Sequence, residues 1–583
     1  MEKKSEAPSV YSRPVGDFLP SSAAGARVIE VRLGPSLLAY GPGFAWPPIE
    51  INALEFDSRT AGPGSLFFAL PGLHTDGHSY VPRAIEQGAQ AVVHQSELQE
   101  YKEGILYIRV ADSRLAMSPI AAAFYDQPSR KMAVIGVTGT EGKSTTVFLI
   151  YQLLNLLGHK AGLISTVQQS DGLSLWWNPE HQTTPEAPII QRLLHGMAEK
   201  GCSFAVVESS SHGLSKKTGR LEDVDFDVGV MTNVRHEHLE FHGSWEQYRY
   251  DKAELFRTLD LSPSSHLKML PGGPKQIPSF GVYNFEDPSG AFFCAATNKP
   301  CFSFYAPLGP SEPGREGKAD LWVPQITSSP QGNSYRVQGE LAGKEGIEMK
   351  DPLSGSFNVL NVLAALLVVS RILDINVAAL KDLVPQLQPL RGRMEPVLQG
   401  QPFEVLIDYA HTPSSFEAVL PPLKERLQPL GGRLIVLFGS PGERDVQKRY
   451  LQGEIAARYA DLIILCDEDP RGEDPLAILE EIALGCTANQ GGPGSKADGL
   501  GCEVTNPFIR GKNLFLIPQR PQALRRAFSL AKGGDLILLL GKGHENSIIY
   551  ASGAIPYDEA QEAQRALAEM GYPGADSATN LQS

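Results

Sequence analysis

The stretch MAVIGVTGTEGKSTTVFLIYQLLNLLG, which begins at Met132, constrains this chain more than any other. MAVIGV reads as a buried strand, TGTEGK as a tight loop and STTVFLIYQLLNLLG as a helix with one apolar face. A buried strand that turns directly into a helix belongs to a parallel sheet with crossover helices. FAVVES and DVGVMTN continue that series. A second series starts near Glu404, with EVLIDYA, RLIVLFG, DLIILCD, NLFLIP and DLILLLG separated by helical patterns. Before Lys131 the strand-like runs are shorter, as in SLFFAL and AQAVVH, and suit a small N-terminal domain. The expected fold class is α/β, with domains over 1–130, 131–390 and 391–583. The stretches LSPSSHLKMLPGGPKQIPSFG from Leu261 and TANQGGPGSKADGLG from Thr487 are rich in turn formers and read as insertions or long loops.

Length and charge narrow the function. At roughly 150 residues per domain, 583 residues suggest about three or four domains. Lys and Arg number 52 against 66 Asp and Glu, a net charge of −14, which argues against a general nucleic-acid binder. The start, MEKKSEAPSV, lacks the apolar segment of a secretory signal. The longest apolar run, VLAALLVV before Ser370, falls far short of the ~20 residues that span a bilayer. The six cysteines form no CxxC pair, as expected of free thiols in a reducing compartment. A cytoplasmic protein without membrane insertion is the expectation.

The loop after the first strand has the chemistry of a phosphate cradle. Gly139 and Gly142 let backbone N–H groups close on phosphate oxygens, Lys143 offsets phosphate charge, and Ser144 can ligate Mg²⁺ at a helix N-terminus. Val137 stands at the first glycine position of the strict GxxxxGK[ST] pattern, with Gly136 one residue earlier. Further on, Glu208 ends the strand FAVVES, at the sheet edge where parallel α/β proteins bind ligands. His236 and His238 follow the next strand, and Lys252 lies on a helical pattern beyond them. No cysteine is near this pair, so an oxygen and nitrogen site beside a nucleotide suggests Mg²⁺ before Zn²⁺.

In order along the chain, FDSRTAGPGSLFFALPGLHTDGH, TGTEGKSTT, HQTTPEAP, VESSSHGL, FDVGVMTNVRHEHLEFHG, GSFNVLNVLAAL, LRGRMEPV, VLIDYAHTP, FGSPGERDVQKR, DEDPRGEDP and LLLGKGHE resemble the Mur ligases, the ATP-dependent amide-bond ligases of peptidoglycan synthesis. The resemblance covers nearly the whole chain. It is strongest to those members that add the third stem-peptide residue to UDP-MurNAc-L-Ala-D-Glu. Folylpolyglutamate synthases share the central motifs but not the DSR, SSH or DPRGEDP segments.

The resemblance implies a small UDP-binding N-terminal α/β domain, a central P-loop ATPase-like parallel sheet and a C-terminal Rossmann-like domain for the amino acid. It implies that Gly139, Thr140, Glu141, Gly142, Lys143, Ser144 and Thr145 hold the ATP phosphates. Asn361 then lies toward adenine, and Arg393, Asp408 and His411 close the nucleotide site. Ser58, Thr183, Thr184, Ser210 and Arg220 contact the UDP-MurNAc-dipeptide. Lys143, Glu208, His238 and Lys252 are catalytic, with Ser144, Glu208, His238 and a carbamylated Lys252 around Mg²⁺. Arg444, Asp469, Arg471, Gly541 and Glu545 take the free amino acid, the carboxylates on its ammonium groups and the arginines on its carboxylate.

Three departures from the family pattern stand out. Glu141 replaces the usual Asn and is expected to face Mg²⁺ or solvent rather than phosphate. Two extra residues precede Arg220. Glu468-Asp469 replaces the first two residues of a DNPR-like segment, which leaves diaminopimelate, lysine and ornithine open. The expected product is an amide made through an acyl phosphate by an enzyme acting as a monomer. A ligase for another acid, or an inactive ATP-binding homologue, are the alternatives.

Overall fold

Continuous β-branched and leucine runs, flanked by helices, bury both faces of a parallel sheet, and the chain builds such sheets repeatedly. The computed structural model describes residues 11–22, 25–72, 75–179, 182–235, 239–262, 265–308, 317–329, 331–488, 508–572 and 574. They fall into two compact units. One is drawn from Met1–Val234, His238–Phe302 and Arg371–Leu373, the other from Arg235–Glu237, Ser303–Ser370 and Asp374–Ser583.

The first unit holds two large sheets. After helix α1 (Val15–Ser22), strands β1 (Val28–Leu33), β2 (Ser36–Leu38), β3 (Ala53–Glu55), β4 (Ser65–Phe68), β5 (Ala91–His94) and β6 (Leu106–Val110) form a six-stranded sheet in the order β2-β1-β6-β5-β4-β3. Helix α2 (Met117–Phe124) packs its alanine-rich face into the same core.

The second sheet carries the loop TGTEGK. It is built from β7 (Ala133–Thr138), α3 (Lys143–Leu156), β8 (Ala161–Ile164), β9 (Gln168–Ser170), β10 (Leu175–Trp177), α4 (Ala187–Glu199), β11 (Phe204–Glu208), α5 (Ser211–Leu214), β12 (Val228–Met231) and α6 (Trp245–Leu261). Strands β8, β11, β7 and β12 run parallel in that spatial order. The expectation of a parallel sheet holds for these four, whereas β9 and β10 extend it antiparallel.

The stretch from Leu261, read above as a loop, contains an antiparallel hairpin of β13 (Leu267–Leu270) and β14 (Gly273–Gln276), which leads into β15 (Phe280–Asn284), parallel to β12. Its prolines and glycines hid the pairing. An ionic cluster rather than an apolar face anchors it. Lys268, fully buried, places its Nζ 3.1 Å from Asp227 and donates to the Ser129 and Asp225 carbonyls. His266 lies 3.0 Å from the other Asp227 oxygen. The stretch from Thr487 lies almost wholly outside the described residues.

The second unit contains an antiparallel group, β16 (Leu321–Trp322), β17 (Ile326–Ser329), β18 (Gly332–Gly339) and β19 (Ile347–Asp351), and all but the last three residues of the buried helix α7 (Asn358–Leu373). Its larger sheet is formed by β20 (Glu404–Asp408), β21 (Leu434–Phe438), β22 (Leu462–Leu465), β23 (Leu514–Leu516) and β24 (Leu536–Leu540), parallel in the order β20-β24-β21-β22-β23. The strand period of two sorts its side chains. Leu406, Val436, Phe438, Ile463 and Leu538 enter one core, while Val405, Ile407, Ile435, Leu437, Ile464 and Leu539 enter the other. No single helix among the described residues is long and apolar enough to cross a membrane. Cys202, Cys294, Cys301, Cys466 and Cys486 are free thiols.

Removing one member of a buried ion cluster leaves the others uncompensated, which costs about 3–5 kcal/mol. Lys268→Ala is therefore expected to lower the unfolding free energy of the first unit by that amount, read as a lower denaturant midpoint. An unchanged midpoint would show that Asp225 and Asp227 need no partner there.

Candidate active site

In the first unit the strand ends converge on one carboxylate. Glu208 closes β11 and is 1% exposed. Its Oε1 accepts from Ser144 Oγ at 2.8 Å, and its Oε2 accepts from Ser165 Oγ at 3.0 Å and from the Thr166 N–H at 2.8 Å. Its backbone carbonyl accepts from Thr184 Oγ1 at 2.9 Å, and the same hydroxyl oxygen accepts the Ser210 N–H at 2.9 Å. Ser210 caps α5 through its own hydroxyl. Arg220 donates to the Thr184 carbonyl at 2.8 Å and pairs with Glu186 at 2.8 Å. One short shell thus joins Ser144, Thr184, Glu208, Ser210 and Arg220.

The phosphate loop is held from behind. Gly139 has φ of +149°, and a Cβ built on it would lie 1.9 Å from Thr232 Oγ1. The Thr140 and Glu141 N–H groups donate to Asn233. The Glu141 carbonyl accepts from Thr232 Oγ1 at 2.6 Å and from Asn233 Nδ2 at 3.2 Å. Lys143 folds back onto the Thr140 carbonyl at 2.8 Å. The N-terminus of α3, 14 residues long, follows directly and favours an anion. Thr145 is half-buried on its first turn. Lys252, 1% exposed on α6, donates to the Gly139 carbonyl at 2.5 Å and lies over the Tyr248 ring. His238 lies outside the described residues. Thr183 is half-buried beside Thr184, and Ser58 is buried in the N-terminal sheet region, apart from these bonds.

The site supports Mg²⁺ by its donor set. Hydroxyl and carboxylate oxygens from Ser144 and Glu208 dominate, the hard ligands this ion prefers. Among the described residues no sulfur donor takes part.

In the second unit, a different group forms at the C-terminal ends of β20, β22 and β24, the edge that binds ligands in such sheets. Asp408 accepts the Met394 and Ala410 N–H groups, and burial pushes its carboxyl up while nearby Arg393 opposes the shift. Arg393 lies over the Tyr409 ring, and His411 Nδ1 meets the Tyr409 carbonyl at 2.8 Å. Asn361 is buried on α7, with its amide on Asn358.

Two carboxylates expected to meet substrate ammonium groups are held by the protein's own lysine. Buried Lys542 pairs with Asp469 at 2.9 Å and with Glu545 at 2.5 Å. Asp469 also accepts the Ile549 N–H, and Glu545 accepts from Tyr409. Two neighbouring carboxylates keep a buried oxygen without a hydrogen-bond partner, Glu468 through Oε2 and Asp467 through Oδ1. Burial pushes the Glu468 carboxyl up to about 7 against Lys448 and Lys542. Gly541, with φ of +97°, stands where a Cβ would lie 3.0 Å from Glu468 Oε2. Arg471 has φ of +54°, unusual for a residue with a side chain, and its Nε is buried without a partner. Arg444 is exposed. Sequence reasoning did not single out Lys542. It lies in the GKGHE motif, but only the fold brings it onto DPR.

Comparison with known proteins decides the family. The chain is 49% identical over 530 residues to the UDP-N-acetylmuramyl-tripeptide synthetase of Treponema pallidum (strain Nichols), covering 89% of this chain and 94% of that one. The chain belongs to the Mur ligase family. Within this ligase, residues 137–369 match the Mur ligase middle domain, residues 392–543 the Mur ligase glutamate ligase domain and residues 50–125 the Mur ligase family catalytic domain. The ligase is also 36% identical over 543 residues to the UDP-N-acetylmuramoyl-L-alanyl-D-glutamate--2,6-diaminopimelate ligase of Geobacillus kaustophilus (strain HTA426), covering 92% of this chain and 99% of that one. A solved structure of a ligase of that same name shares its fold, with TM-score 0.56 and 24% identity over 91% of this chain and 98% of that one. The protein is an ATP-dependent, amide-bond-forming enzyme that uses Mg²⁺.

A side chain at Gly139 must displace Thr232 and with it the loop. Gly139→Ala is expected to weaken ADP binding at least tenfold by calorimetry. Wild-type affinity would show that the loop does not need this backbone.

Proposed function

We propose that this ligase adds a diamino acid to UDP-MurNAc-L-Ala-D-Glu as the third stem residue, through an acyl phosphate, as a monomer in the cytoplasm. One observation carries the reading. The segment assigned to the acid substrate, through Thr184, and the phosphate loop, through Ser144, are both tied to Glu208. A phosphoryl donor and a carboxylate acceptor are thus directed to one place. The family names of the relatives support the same substrate.

A carboxylate is a poor acyl donor because oxide would have to leave. Phosphorylation by ATP makes phosphate the leaving group, and an amine can then displace it. Lys143 and the α3 N-terminus stabilise charge on the transferred group. Thr184, Ser210 and Arg220 hold the acid substrate, with Ser58 on the uridine part. Ser144, Glu208, His238 and a carbamylated Lys252 would hold Mg²⁺, which when bound would offset phosphate charge. Arg393, Asp408, His411 and Asn361 serve the nucleotide. The N-terminal, central and C-terminal domains over 1–130, 131–390 and 391–583 bind the UDP-linked acid, ATP and the amino acid.

The choice of amine rests on Glu468. Of four carboxylates, Asp467, Glu468, Asp469 and Glu545, the last two are paired with Lys542, and the open acceptors are Glu468 Oε2 and Asp467 Oδ1. A distal ammonium satisfies Glu468, which stands against Gly541, while Arg471 takes the α-carboxylate.

The deciding experiment supplies ATP, Mg²⁺ and UDP-MurNAc-L-Ala-D-Glu with diaminopimelate, lysine or ornithine in turn, and reads phosphate release and product mass. A diamino acid is expected to give both phosphate and the tripeptide. Absence of release with all three would refute the assignment.

The raised Glu468 carboxyl gives a pH signature. Its anion binds ammonium, so the KM for the diamino acid should rise as pH falls through about 7. The groups facing it are Lys448, Lys542, Glu545 and Arg520. A charged hydrogen bond is worth about 1.5–3 kcal/mol. Glu468→Gln is therefore expected to raise that KM by roughly 10- to 100-fold and to flatten its pH dependence. An unaltered pH profile would remove Glu468 from the site.

A further inference from the structure

Helix α6 carries more than Lys252. Its Tyr248 hydroxyl lies 3.1 Å from Thr140 Oγ1 in the phosphate loop. Three residues on, Asp251 faces His242, with Oδ2 at 2.7 Å from Nδ1, and its other oxygen accepts from Gln247 at 2.7 Å. The far side of the imidazole, Nε2, lies 3.1 Å from Ser211 Oγ. Ser211, His242 and Asp251 are all buried.

The arrangement has the connectivity of a serine–histidine–aspartate triad, but its setting is different. Ser211 is the first residue of α5, 2% exposed, with no open face toward a substrate. The carboxylate only accepts, so His242 Nδ1 carries the hydrogen and Nε2 is left for the serine hydroxyl. A buried imidazole with both nitrogens engaged is a rigid strut. It runs from α6 to the residue after Ser210, which caps α5 and meets Thr184. On the other side, Asp251 precedes Lys252, which meets Gly139.

We propose that His242 is a positioning residue. Through Ser211 it fixes the Ser210 segment, and through Asp251 it fixes that segment to the helix that braces the phosphate loop. The acid substrate is thereby presented to the nucleotide at a set distance. A side chain held on only one side would let the α5 cap shift, and a shift of an ångström in a reacting carboxylate is costly. The inference rests on the reading that Thr184 and Ser210 hold the UDP-linked acid.

The test measures Kd by calorimetry for UDP-MurNAc-L-Ala-D-Glu and for ADP, with steady-state KM values alongside. His242→Asn places an amide where Nδ1 stands, keeping Asp251 and losing Ser211. Ser211→Ala removes one oxygen and keeps the fold. Each is expected to weaken acid-substrate binding about tenfold and to leave ADP binding within about twofold. The double variant should be no weaker than either single one, because both break the same link. An unchanged Kd for the acid substrate in folded Ser211→Ala would overturn the proposal, as would equal losses for both ligands or multiplying losses in the double variant. Wild-type protein that neither binds nor turns over the acid substrate would instead overturn the underlying substrate reading, and the proposal with it.

Discussion

The first unit is organised around the four hydrogen bonds that end on Glu208. A buried carboxylate is costly unless it is hydrogen-bonded, and here Ser144, Ser165 and Thr166 donate to it, leaving about one of its lone-pair sites open, while Thr184 takes the backbone carbonyl. The consequence is positional. The phosphate loop, the β8–β9 connection and the segment before α4 cannot move independently, because each is tied to the same residue. Satisfying one anion therefore also fixes the geometry that phosphoryl transfer needs.

The second unit solves a related problem with opposite materials. The ends of its parallel strands gather Asp467, Glu468, Asp469 and Glu545, and mutual repulsion is relieved by Lys542 between two of them. Asp467 is met by the Tyr550 hydroxyl, though burial still pushes its carboxyl up to about 6. Glu468 Oε2 and Asp467 Oδ1 are left without a hydrogen bond. An internal lysine thus takes Asp469 and Glu545 out of play and leaves an external ammonium two adjacent acceptors instead of four carboxylates. Selectivity for where an amine docks follows from this distribution more than from the number of acids.

The sequence disclosed the strands and the phosphate loop because both are local. Apolar runs such as AVIGV and LILLL announce buried strands whatever their neighbours, and GTEGKST shows the cradle's glycines and lysine within seven residues, although Thr232 and Asn233 brace it. The second-unit cores follow the same logic, since alternate residues of each strand enter opposite faces. What escaped was long-range. Lys268 and Asp227 meet across 41 positions in a hairpin whose Pro and Gly content resembles a loop. Lys542 reaches Asp469 only after five strands have been laid side by side. His242 looked like one of several histidines in HEHLEFHG, and its partners lie on two different helices.

Net charge illustrates the same division between composition and placement. An excess of 14 acidic groups seems ill suited to substrates that carry phosphates and carboxylates. Yet electrostatic attraction falls off within about 10 Å at moderate salt, so a ligand feels the groups that line its site. In the first unit those are Lys143 and Arg220, with the N-terminus of α3, and the neighbouring acids Glu186 and Glu208 are already engaged by Arg220 and by hydroxyl donors. Engaged carboxylates repel an incoming anion less because their charge is partly neutralised by the donors they accept. The chain can therefore be acidic as a whole and still present a phosphate loop whose local field is positive.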